Sequence, residues 1–523
     1  MKPISENKQI FIAAIINYVA LGLNILIAIF YTPFLLKTLG DADYGIRSFA
    51  TSFVAYANVI GSGISTAYLR FANLKKSEHG EEGRKDVDGV FFKIFLFLGV
   101  ASLVIGLLFF VAFYFGIIPL NNYSKEQVFV VATVVFLSFI TLGIKFPLSV
   151  ALLILNFKRK FIFRNVRFLL SSLFENIFSL ICLILGLTVF KSQVIVLSLI
   201  SLLSEIIFGV FTILYLFLIL KNKVNFKRKV VDKSIWKEII KFSFLSLLII
   251  AVLALNESTD RIILGFISPE LVTFYSLAVL FNAYLKSAVE GIAFLYTPKI
   301  SEEATLGRKK ELQDTFDFVS KISLILLSFI VFGYVCCGKE FIIMWLGPSK
   351  KDIYYYSLPL LIGMIFLYPQ HFSIQVHRAY GTQKFAAISL SVTFLLNVAI
   401  SIGLVALFHK FTDNAALGCI IGTLLTYILE SILLSSYNSK KLGLKQNNTW
   451  MQTIINILIG FTIAIFVLRS SELMDLNVRP IFVLLIKGVI YVAIFIVIQF
   501  AINKKDILKL FKRKKIKKVD KIL

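Results

Sequence analysis

The sequence is poor in the residues that a soluble protein uses to cover its surface. Of its 523 residues only 16% are charged, whereas 58% are hydrophobic and 52 are phenylalanine. A soluble chain needs a mostly polar exterior, so this composition excludes a soluble globular protein. Apolar runs of about 20 residues recur along the chain, and each is long enough to cross a ~30 Å hydrocarbon layer as a helix. Because backbone groups in lipid must be paired internally, we predict an all-α polytopic membrane protein.

Residues and motifs for covalent chemistry are also scarce. The four cysteines lie in or beside apolar segments, without the spacing of a disulfide framework or a zinc site. The patterns GxxxxGK[ST], HExxH and GxSxG are absent, and no His/Cys cluster is present. We therefore expect no catalytic residue, no metal and no nucleotide cofactor, and a transporter rather than an enzyme.

Polar breaks divide the apolar sequence into segments that predict fourteen transmembrane helices. The segments are approximately 10–36, 44–71, 90–115, 126–152, 167–187, 193–220, 239–266, 270–296, 317–338, 354–377, 385–408, 413–437, 451–469 and 480–502. The first segment is too long for the apolar core of a signal peptide, so we expect it to remain as helix 1.

Lysine and arginine are unequally shared between the two sets of loops. The loops on the side of the N-terminus contain 39 of the 55 basic residues, the opposite loops contain 9, and 7 lie within helices. Basic loops stay in the cytoplasm, so both termini are predicted to be cytoplasmic. The formal net charge of +25 then reflects topology and requires no nucleic acid. The basic tail 503–523 either lies on anionic lipid as an amphipathic helix or only sets topology.

The two halves of the chain resemble each other at a constant offset of 228 residues, as in Tyr56/Tyr284 and Gly63/Gly291. This offset moves helix 2 onto helix 8, six helices later, so both copies have the same orientation. We predict two pseudo-symmetric six-helix lobes, helices 1–6 and 7–12, followed by helices 13–14. The predicted divisions are an N-lobe at 1–220, a basic cytoplasmic linker at 221–238, a C-lobe at 239–437, helices 13–14 at 438–502 and a polybasic tail at 503–523.

Charged residues interrupt the apolar sequence most clearly in NESTDRIILGF, residues 256–266. On a helix Asn256 and Asp260 share one face, and Glu257 and Arg261 have the order that favours an ion pair. An ionisable residue inside a membrane costs roughly 2.5–3.5 kcal/mol, and it usually faces a cavity or another such group. The alternative is that these groups form interhelical pairs that lock the lobes.

Polar stripes on helices 1, 2, 7, 8 and 10 predict a shared cavity, with Pro369 as a kink in helix 10. The candidate substrate-binding residues are Asn24, Arg47, Asn58, Asn256, Arg261, Asn282, Lys286, His371 and Gln375. The candidate cation-coupling residues are Glu257, Asp260 and Glu290.

Three stretches resemble the polysaccharide-unit flippases, the O-antigen-type transporters of the MOP superfamily. They are FYTPFLLKTLGDADYGIRSF, TDRIILGFISPELVTFYSLA and RAYGTQKFAAISLSVTFLLNVAIS, the last with Gly381, Lys384 and Asn397. The resemblance implies a two-lobed, V-shaped transporter of the bacterial inner (cytoplasmic) membrane that works by alternating access.

The resemblance also implies the cargo and the partners. The cargo would be an oligosaccharide on an undecaprenyl diphosphate carrier, moved from the cytoplasmic to the outer leaflet. The product would be O-antigen, capsule or another surface polysaccharide. A gradient of H⁺ or Na⁺ is the candidate drive, transport without coupling is the alternative, and no other cofactor is expected. The expected partners are membrane lipids and the polymerase and glycosyltransferase machinery, and the expected functional state is a monomer.

Two other functions remain open. MATE-type drug exporters share the fold and usually have a carboxylate site in the N-lobe, where this chain offers only Glu175 and Glu205. A lipid-linked polysaccharide polymerase or ligase would act on the same carrier, but such proteins usually have a large external loop. The related lipid II flippases have an arginine in helix 1, where this chain has Asn17 and Asn24.

Overall fold

The computed structural model describes residues 6–227, 230, 232, 234–380, 382–411, 414–473 and 480–511, and the extended regular elements in this part of the chain are helices. Residues 512–523 of the predicted tail and Gly381 lie outside the described residues. The α-helices are α1 (Glu6–Tyr114), α2 (Lys125–Phe157), α3 (Phe161–Ile184), α4 (Gln193–Leu214), α5 (Ile235–Gly265), α6 (Pro269–Thr305), α7 (Lys309–Leu346), α8 (Ile353–His371), α9 (Ser373–Ala379), α10 (Gln383–Phe411), α11 (Ala416–Tyr437), α12 (Asn447–Leu473) and α13 (Pro480–Phe511).

Helix α1 is three membrane-length segments joined by two glycine turns. The helical dihedrals fail at Gly40, with φ 78°, and at Gly80, with φ 62°. Such positive φ values are the left-handed conformation that glycine adopts most readily. The described residues contain fourteen membrane-length segments. Three are the parts of α1, at 6–39, 41–78 and 81–114, one is α8 together with the short α9, and the other ten are the remaining helices. The prediction of a polytopic helical membrane protein is confirmed.

The structure corrects the predicted loop at 72–89, which is almost entirely helical. Ion pairs three residues apart explain the difference, because they stabilise helix ends that are too polar to lie in lipid. Lys75 pairs with Glu78 at 2.6 Å, and Arg84 pairs with Glu81 at 2.7 Å. The segments on either side of Gly80 therefore extend beyond the apolar runs that mark them in the sequence.

The predicted kink at Pro369 is a break between two helices. Helix α8 ends at His371 and α9 begins at Ser373. Proline has no backbone N–H to donate and its ring crowds the preceding turn, which weakens the helix at this point. Ser320 on α7 donates a hydrogen bond to the carbonyl of Pro369 at 3.2 Å, so this irregular backbone has a side-chain partner.

The chain forms two compact units, Met1–Leu277 with Leu390–Cys419 and Ala278–Ser389 with Ile420–Leu523. In unit 1 a core of large apolar residues, including Tyr68 and Phe91, joins α1 to α2 and α5. The lobe boundaries drawn from the sequence repeat stay a prediction.

In unit 2, α13 is held by polar contacts that recur at helical spacing. Lys487 pairs with Glu340 of α7 at 2.6 Å, and the Tyr491 hydroxyl donates to the Phe329 carbonyl at 2.9 Å. Farther along the same face, Gln499 donates to Asn456 of α12 at 2.9 Å. The opposite face is apolar and exposed, as at Val489 and Val497, which suits contact with lipid.

The two ends of unit 1 differ in their basic residues. The end of unit 1 that contains the turns at 40, 115–124, 185–192 and 266–268 is called the lysine-poor end. The end that contains the turns at 79–80 and 158–160 and the segment 221–227 is called the lysine-rich end. At the lysine-rich end, buried Asp86 accepts hydrogen bonds from Asn225 at 2.9 Å and from the Val230 N–H at 2.8 Å. The basic linker is thus fixed to α1 by a carboxylate.

At the lysine-poor end, the start of α6 packs directly against α1. An added Cβ at Gly45 would lie 1.8 Å from the backbone oxygen of Pro269. Thr273 strengthens the contact by donating a hydrogen bond to the Asp41 carbonyl at 2.6 Å. Two helices can approach this closely only where one of them has no side chain.

We expect Gly45→Ala to destabilise the protein by about 2 kcal/mol, because neither backbone can move without disturbing a packed helix. The measurement is the thermal unfolding midpoint of the purified protein in detergent. Gly403→Ala is the matched control, since no atom lies within 4 Å of its added Cβ. Equal midpoints for the two variants would contradict the packing seen here.

Candidate functional site

The charged stretch of α5 is held by hydroxyl groups from neighbouring helices. Asp260 is fully buried, and its Oδ2 atom accepts a hydrogen bond from the Tyr275 hydroxyl of α6 at 2.6 Å. The preceding residue, Thr259, forms a short hydrogen bond with Tyr56 of α1. The Oδ1 atom of half-buried Asn256 has no hydrogen-bond partner among the described residues. Asp260 is therefore held in place by a hydrogen bond to a neighbouring helix, while the Oδ1 atom of Asn256 can accept a hydrogen bond from a ligand.

Two arginines lie near one tyrosine in unit 1. Arg47 on α1 and Arg261 on α5 are both within electrostatic range of the Tyr44 side chain. Arg261 has a loose ion pair with Glu257 at 3.7 Å, and its buried Nε has no hydrogen-bond partner among the described residues. Asn58 lies half-buried three turns beyond Arg47 on the same segment. Among the described residues, Arg261 has one loose ion pair and Arg47 has none, so the positive charge of both is not fully compensated there.

A second polar cluster in unit 1 joins α1 to α3 and α4, two helices for which the sequence analysis described no polar stripe. Asn24 of α1 accepts a hydrogen bond from Ser172 of α3 at 2.7 Å. One turn farther on α3, Glu175 accepts a short hydrogen bond from Ser201 of α4. Glu175 has no ion-pair partner among the described residues. A carboxylate in the middle of a membrane helix with only a hydroxyl partner is suited to take up a proton or a small cation.

Glu205 lies one turn after Ser201 on α4 and has a different environment. It pairs with Arg167 of α3 at 3.1 Å, and both side chains are mostly buried. This pair satisfies the charge of Glu205, so the two N-terminal acids are not equivalent. The sequence could not distinguish them, because their partners lie on other helices.

The candidates in unit 2 lie on α6, α8 and α9. Asn282 is buried, with its Oδ1 atom lacking a hydrogen-bond partner among the described residues. Lys286 and Gln375 are half-buried, and Glu290 is exposed. Within α6 the spacing of four residues places Asn282, Lys286 and Glu290 along one side, as predicted from the sequence.

His371 has a partner that the sequence analysis missed. Its Nε2 atom lies 2.8 Å from Oε1 of Glu430 on α11, and the Glu430 side chain is only 4% exposed. The two residues are 59 positions apart, so helical spacing gives no signal for this contact. His371 is therefore engaged with a buried carboxylate in this structure.

The two arginines make an anionic ligand a chemically suitable occupant of this site. Among the described residues, no group of three or more His, Cys, Asp or Glu side chains is placed to hold a metal. Arginine binds carboxylate and phosphate through two parallel hydrogen bonds, so a converging pair can hold a multiply charged phosphate group. Amides such as Asn58 and Asn256 can add hydrogen bonds to hydroxyl groups.

Solved membrane transporters share the arrangement of helices seen here. The chain superposes on the lipid II flippase MurJ, in an inward closed conformation, with 16% identity and a TM-score of 0.69, covering 94% of this chain and 100% of that one. It has the MOP transporter fold. An inward-facing MATE-family multidrug resistance transporter of the MOP superfamily matches with 13% identity and a TM-score of 0.62, covering 80% of this chain and 94% of that one.

A eukaryotic MATE transporter also has this fold, with 14% identity and a TM-score of 0.58, covering 86% of this chain and 99% of that one. No protein-family model matches the sequence, and no curated protein matches it. The comparisons therefore confirm the predicted MOP fold through structure alone. Identities this low leave the cargo to be argued from the residues.

We expect Tyr275→Phe to lower stability by about 1–3 kcal/mol, because it removes a donor from a buried carboxylate. The test compares the thermal unfolding midpoints of purified wild type and variant in detergent. Tyr380→Phe is the control, since Tyr380 is 36% exposed. Asp260→Asn should cost less than Tyr275→Phe, because the amide oxygen still accepts from the tyrosine. The reverse order would contradict this account of Asp260.

Proposed function

We propose that this protein is a flippase for oligosaccharide units linked to undecaprenyl diphosphate, and that it supplies the synthesis of a surface polysaccharide. The observation that carries the proposal is that Arg47 and Arg261 both lie near Tyr44, while Arg261 has only a loose ion pair, with Glu257 at 3.7 Å. A diphosphate group carries two or more negative charges. Two incompletely neutralised arginines in a membrane protein are what the head group of such a carrier requires.

The chemistry of the cargo divides between charged, polar and apolar parts. Guanidinium groups would bind the diphosphate, and Asn24, Asn58 and Asn256 would bind sugar hydroxyls. In unit 2, Asn282, Lys286 and Gln375 would contact the same cargo at other stages of transport. The prenyl chain is as apolar as lipid and would remain in the membrane. The lipid-linked cargo of the MurJ flippase, which has the same fold, supports a carrier of this class.

We further propose that the lysine-rich end faces the cytoplasm in the bacterial inner membrane. Loops with many basic residues are retained on that side, and the 39 to 9 division of Lys and Arg is strongly asymmetric. In this orientation the lysine-poor end faces outward. The flipped oligosaccharide would therefore leave the protein at that end.

A cation gradient is the proposed drive. Asp260 is the favoured coupling residue, because a fully buried carboxylate changes its interactions sharply when it binds a proton or Na⁺. Glu257 and Glu290 are more exposed, so water can screen their charge and weaken such coupling. Glu175 in the N-terminal helices is an additional acceptor for a cation, with Ser201 as its hydroxyl partner.

We expect Arg47→Ala and Arg261→Ala each to reduce flipping about tenfold or more, because each removes a charged hydrogen bond to phosphate. The assay is complementation of a deletion strain in the native host. It measures surface polysaccharide together with the pool of intact lipid-linked oligosaccharide inside the cell. The expected result is lost polymer with an accumulated pool, both restored by wild type.

Arg308→Ala is the control for this assay, because Arg308 is an exposed arginine at the start of α7. Arg261→Lys should retain part of the function, since charge is kept while the two-pronged geometry is lost. Normal flipping by both alanine variants at normal protein levels would refute the proposed head-group site. Unchanged polymer with altered drug tolerance in the deletion strain would instead favour MATE-type export, for which Glu175 would be a candidate.

Asp260→Asn should abolish the acceleration of flipping by an imposed cation gradient while leaving slow, gradient-independent exchange. The measurement uses purified protein in liposomes with a pH gradient or a Na⁺ gradient imposed separately. Only the gradient of the coupled ion should accelerate the wild type. A variant that still responds fully to the same gradient would exclude Asp260 as the coupling residue.

A further inference from the structure

An open cavity lies at the lysine-poor end of unit 1, apart from the arginine site. Its volume is about 1290 Å³, and it is bounded by the loops that join the helices at this end. Neither Arg47 nor Arg261 lines it. Its walls combine aromatic rings with charged and amide side chains, among them Tyr114, Asn121, Lys125, Phe129, Phe190 and Lys191.

The aromatic side chains form a continuous path along the cavity. Tyr114 and Phe129 have ring centroids 6.3 Å apart, and Phe129 meets Phe190 edge-to-face at 5.5 Å. Tyr114 is 51% exposed and Phe190 is 71% exposed, so both rings have surface that the protein does not cover. Exposed aromatic rings are common at membrane interfaces, but these rings line a concave cavity together with lysine, amide and carboxylate side chains, which suits a polar ligand.

The turn that presents Phe190 is held in a costly conformation. Phe190 and Lys191 have φ values of 50° and 60°, in the left-handed region. Backbone hydrogen bonds between Val189 and Ser192, at 3.1 and 3.0 Å, close the turn around them. Such two-residue turns normally contain Asn-Gly, because a side chain costs roughly 1–2 kcal/mol per residue in this conformation. A large ring and a cation at these positions are kept at the expense of stability, which points to function.

The same cavity is built on the loop that closes the end of α5. The Tyr123 hydroxyl donates to the Gly265 carbonyl at 2.6 Å, and Asn122 donates to the Ile267 carbonyl at 2.8 Å. The Gly265 carbonyl is at the end of α5, where carbonyls lack partners within the helix, and the Ile267 carbonyl lies in the turn that follows, so the two side chains cap the helix and its turn. Burial raises the pKa of Tyr123, which keeps its hydroxyl protonated as a donor. The cavity floor is therefore firmly positioned.

We propose that this cavity binds sugar residues of an oligosaccharide. The uncovered ring faces would pack against the C–H faces of pyranose rings. Asn121, Lys125 and Lys191 would donate hydrogen bonds to hydroxyl or carboxylate oxygens, while Glu126 and Asp43 would accept from hydroxyls. The proposal rests on the proposed function in one respect, which is that the lysine-poor end faces outward, where a flipped oligosaccharide emerges. Acyl chains would not suit a cavity that contains both lysines and carboxylates.

The test measures saccharide binding to the full-length protein in nanodiscs of neutral phosphatidylcholine. The probe is short oligosaccharide released by mild acid from the host's own surface polysaccharide, observed by saturation-transfer NMR. We expect binding by wild type and about tenfold weaker binding by Phe190→Ala, the most that one aromatic contact usually contributes. Phe97→Ala is the matched control, because Phe97 is also 71% exposed but does not line the cavity.

Three results would overturn the proposal. They are no saccharide binding by wild type, equal binding by Phe190→Ala and wild type, or displacement of the saccharide by anionic phosphatidylglycerol added to the nanodisc. The last would identify a lipid head-group site instead. Phe190→Gly with Lys191→Gly, which relaxes the turn, should keep the unfolding midpoint at or above wild type while losing saccharide binding.

The outcome is separable from that of the flippase proposal. Arg261→Ala should lose flipping in cells but bind the free oligosaccharide as wild type does, because Arg261 does not line this cavity. If wild type does not bind the saccharide but Arg261→Ala still loses flipping as expected, only the cavity proposal is refuted. Normal flipping in the arginine variants with intact saccharide binding would refute only the head-group site.

Discussion

A charge inside hydrocarbon must find a partner in the protein or a route to water, and this constraint organises the structure. Each unpartnered ionisable group would cost several kcal/mol, so the few that are present occupy defined positions. Asp260 is satisfied in part by Tyr275, Glu205 by Arg167, and Lys487 by Glu340. The residues that remain incompletely compensated, above all Arg47 and Arg261, are consequently those most available to a ligand.

The same constraint separates residues that hold the fold from residues that can act on a cargo. Lys487 and Tyr491 fix α13 to α7 by contacts that leave no capacity for a ligand. Arg261 has a distant carboxylate at 3.7 Å and a buried nitrogen without a hydrogen-bond partner among the described residues. A loosely paired arginine can exchange its protein partner for a phosphate with little loss, whereas a tightly paired one cannot.

Most of the fold could be predicted from the sequence, because hydropathy and helix length are local properties. The fourteen apolar segments correspond to the observed membrane-length segments, and Pro369 marks a real break. The predicted loop at 72–89, around Gly80, was wrong because a polar helix stabilised by ion pairs has the low hydropathy of a loop. The partners of the charged side chains could not be predicted. Glu430 contacts His371 and Tyr275 contacts Asp260 from other helices, and a single sequence contains no signal for such contacts.

The loop at 115–124 belongs to two structures at once. Its Asn122 and Tyr123 cap α5, and its neighbouring residues form the wall of an open cavity. Thermodynamic reciprocity follows from this shared backbone. If a molecule in the cavity makes the cap easier to release, then releasing the cap must tighten the grip on that molecule by the same factor. One short loop thereby makes the end of a buried helix and a water-facing surface parts of a single equilibrium.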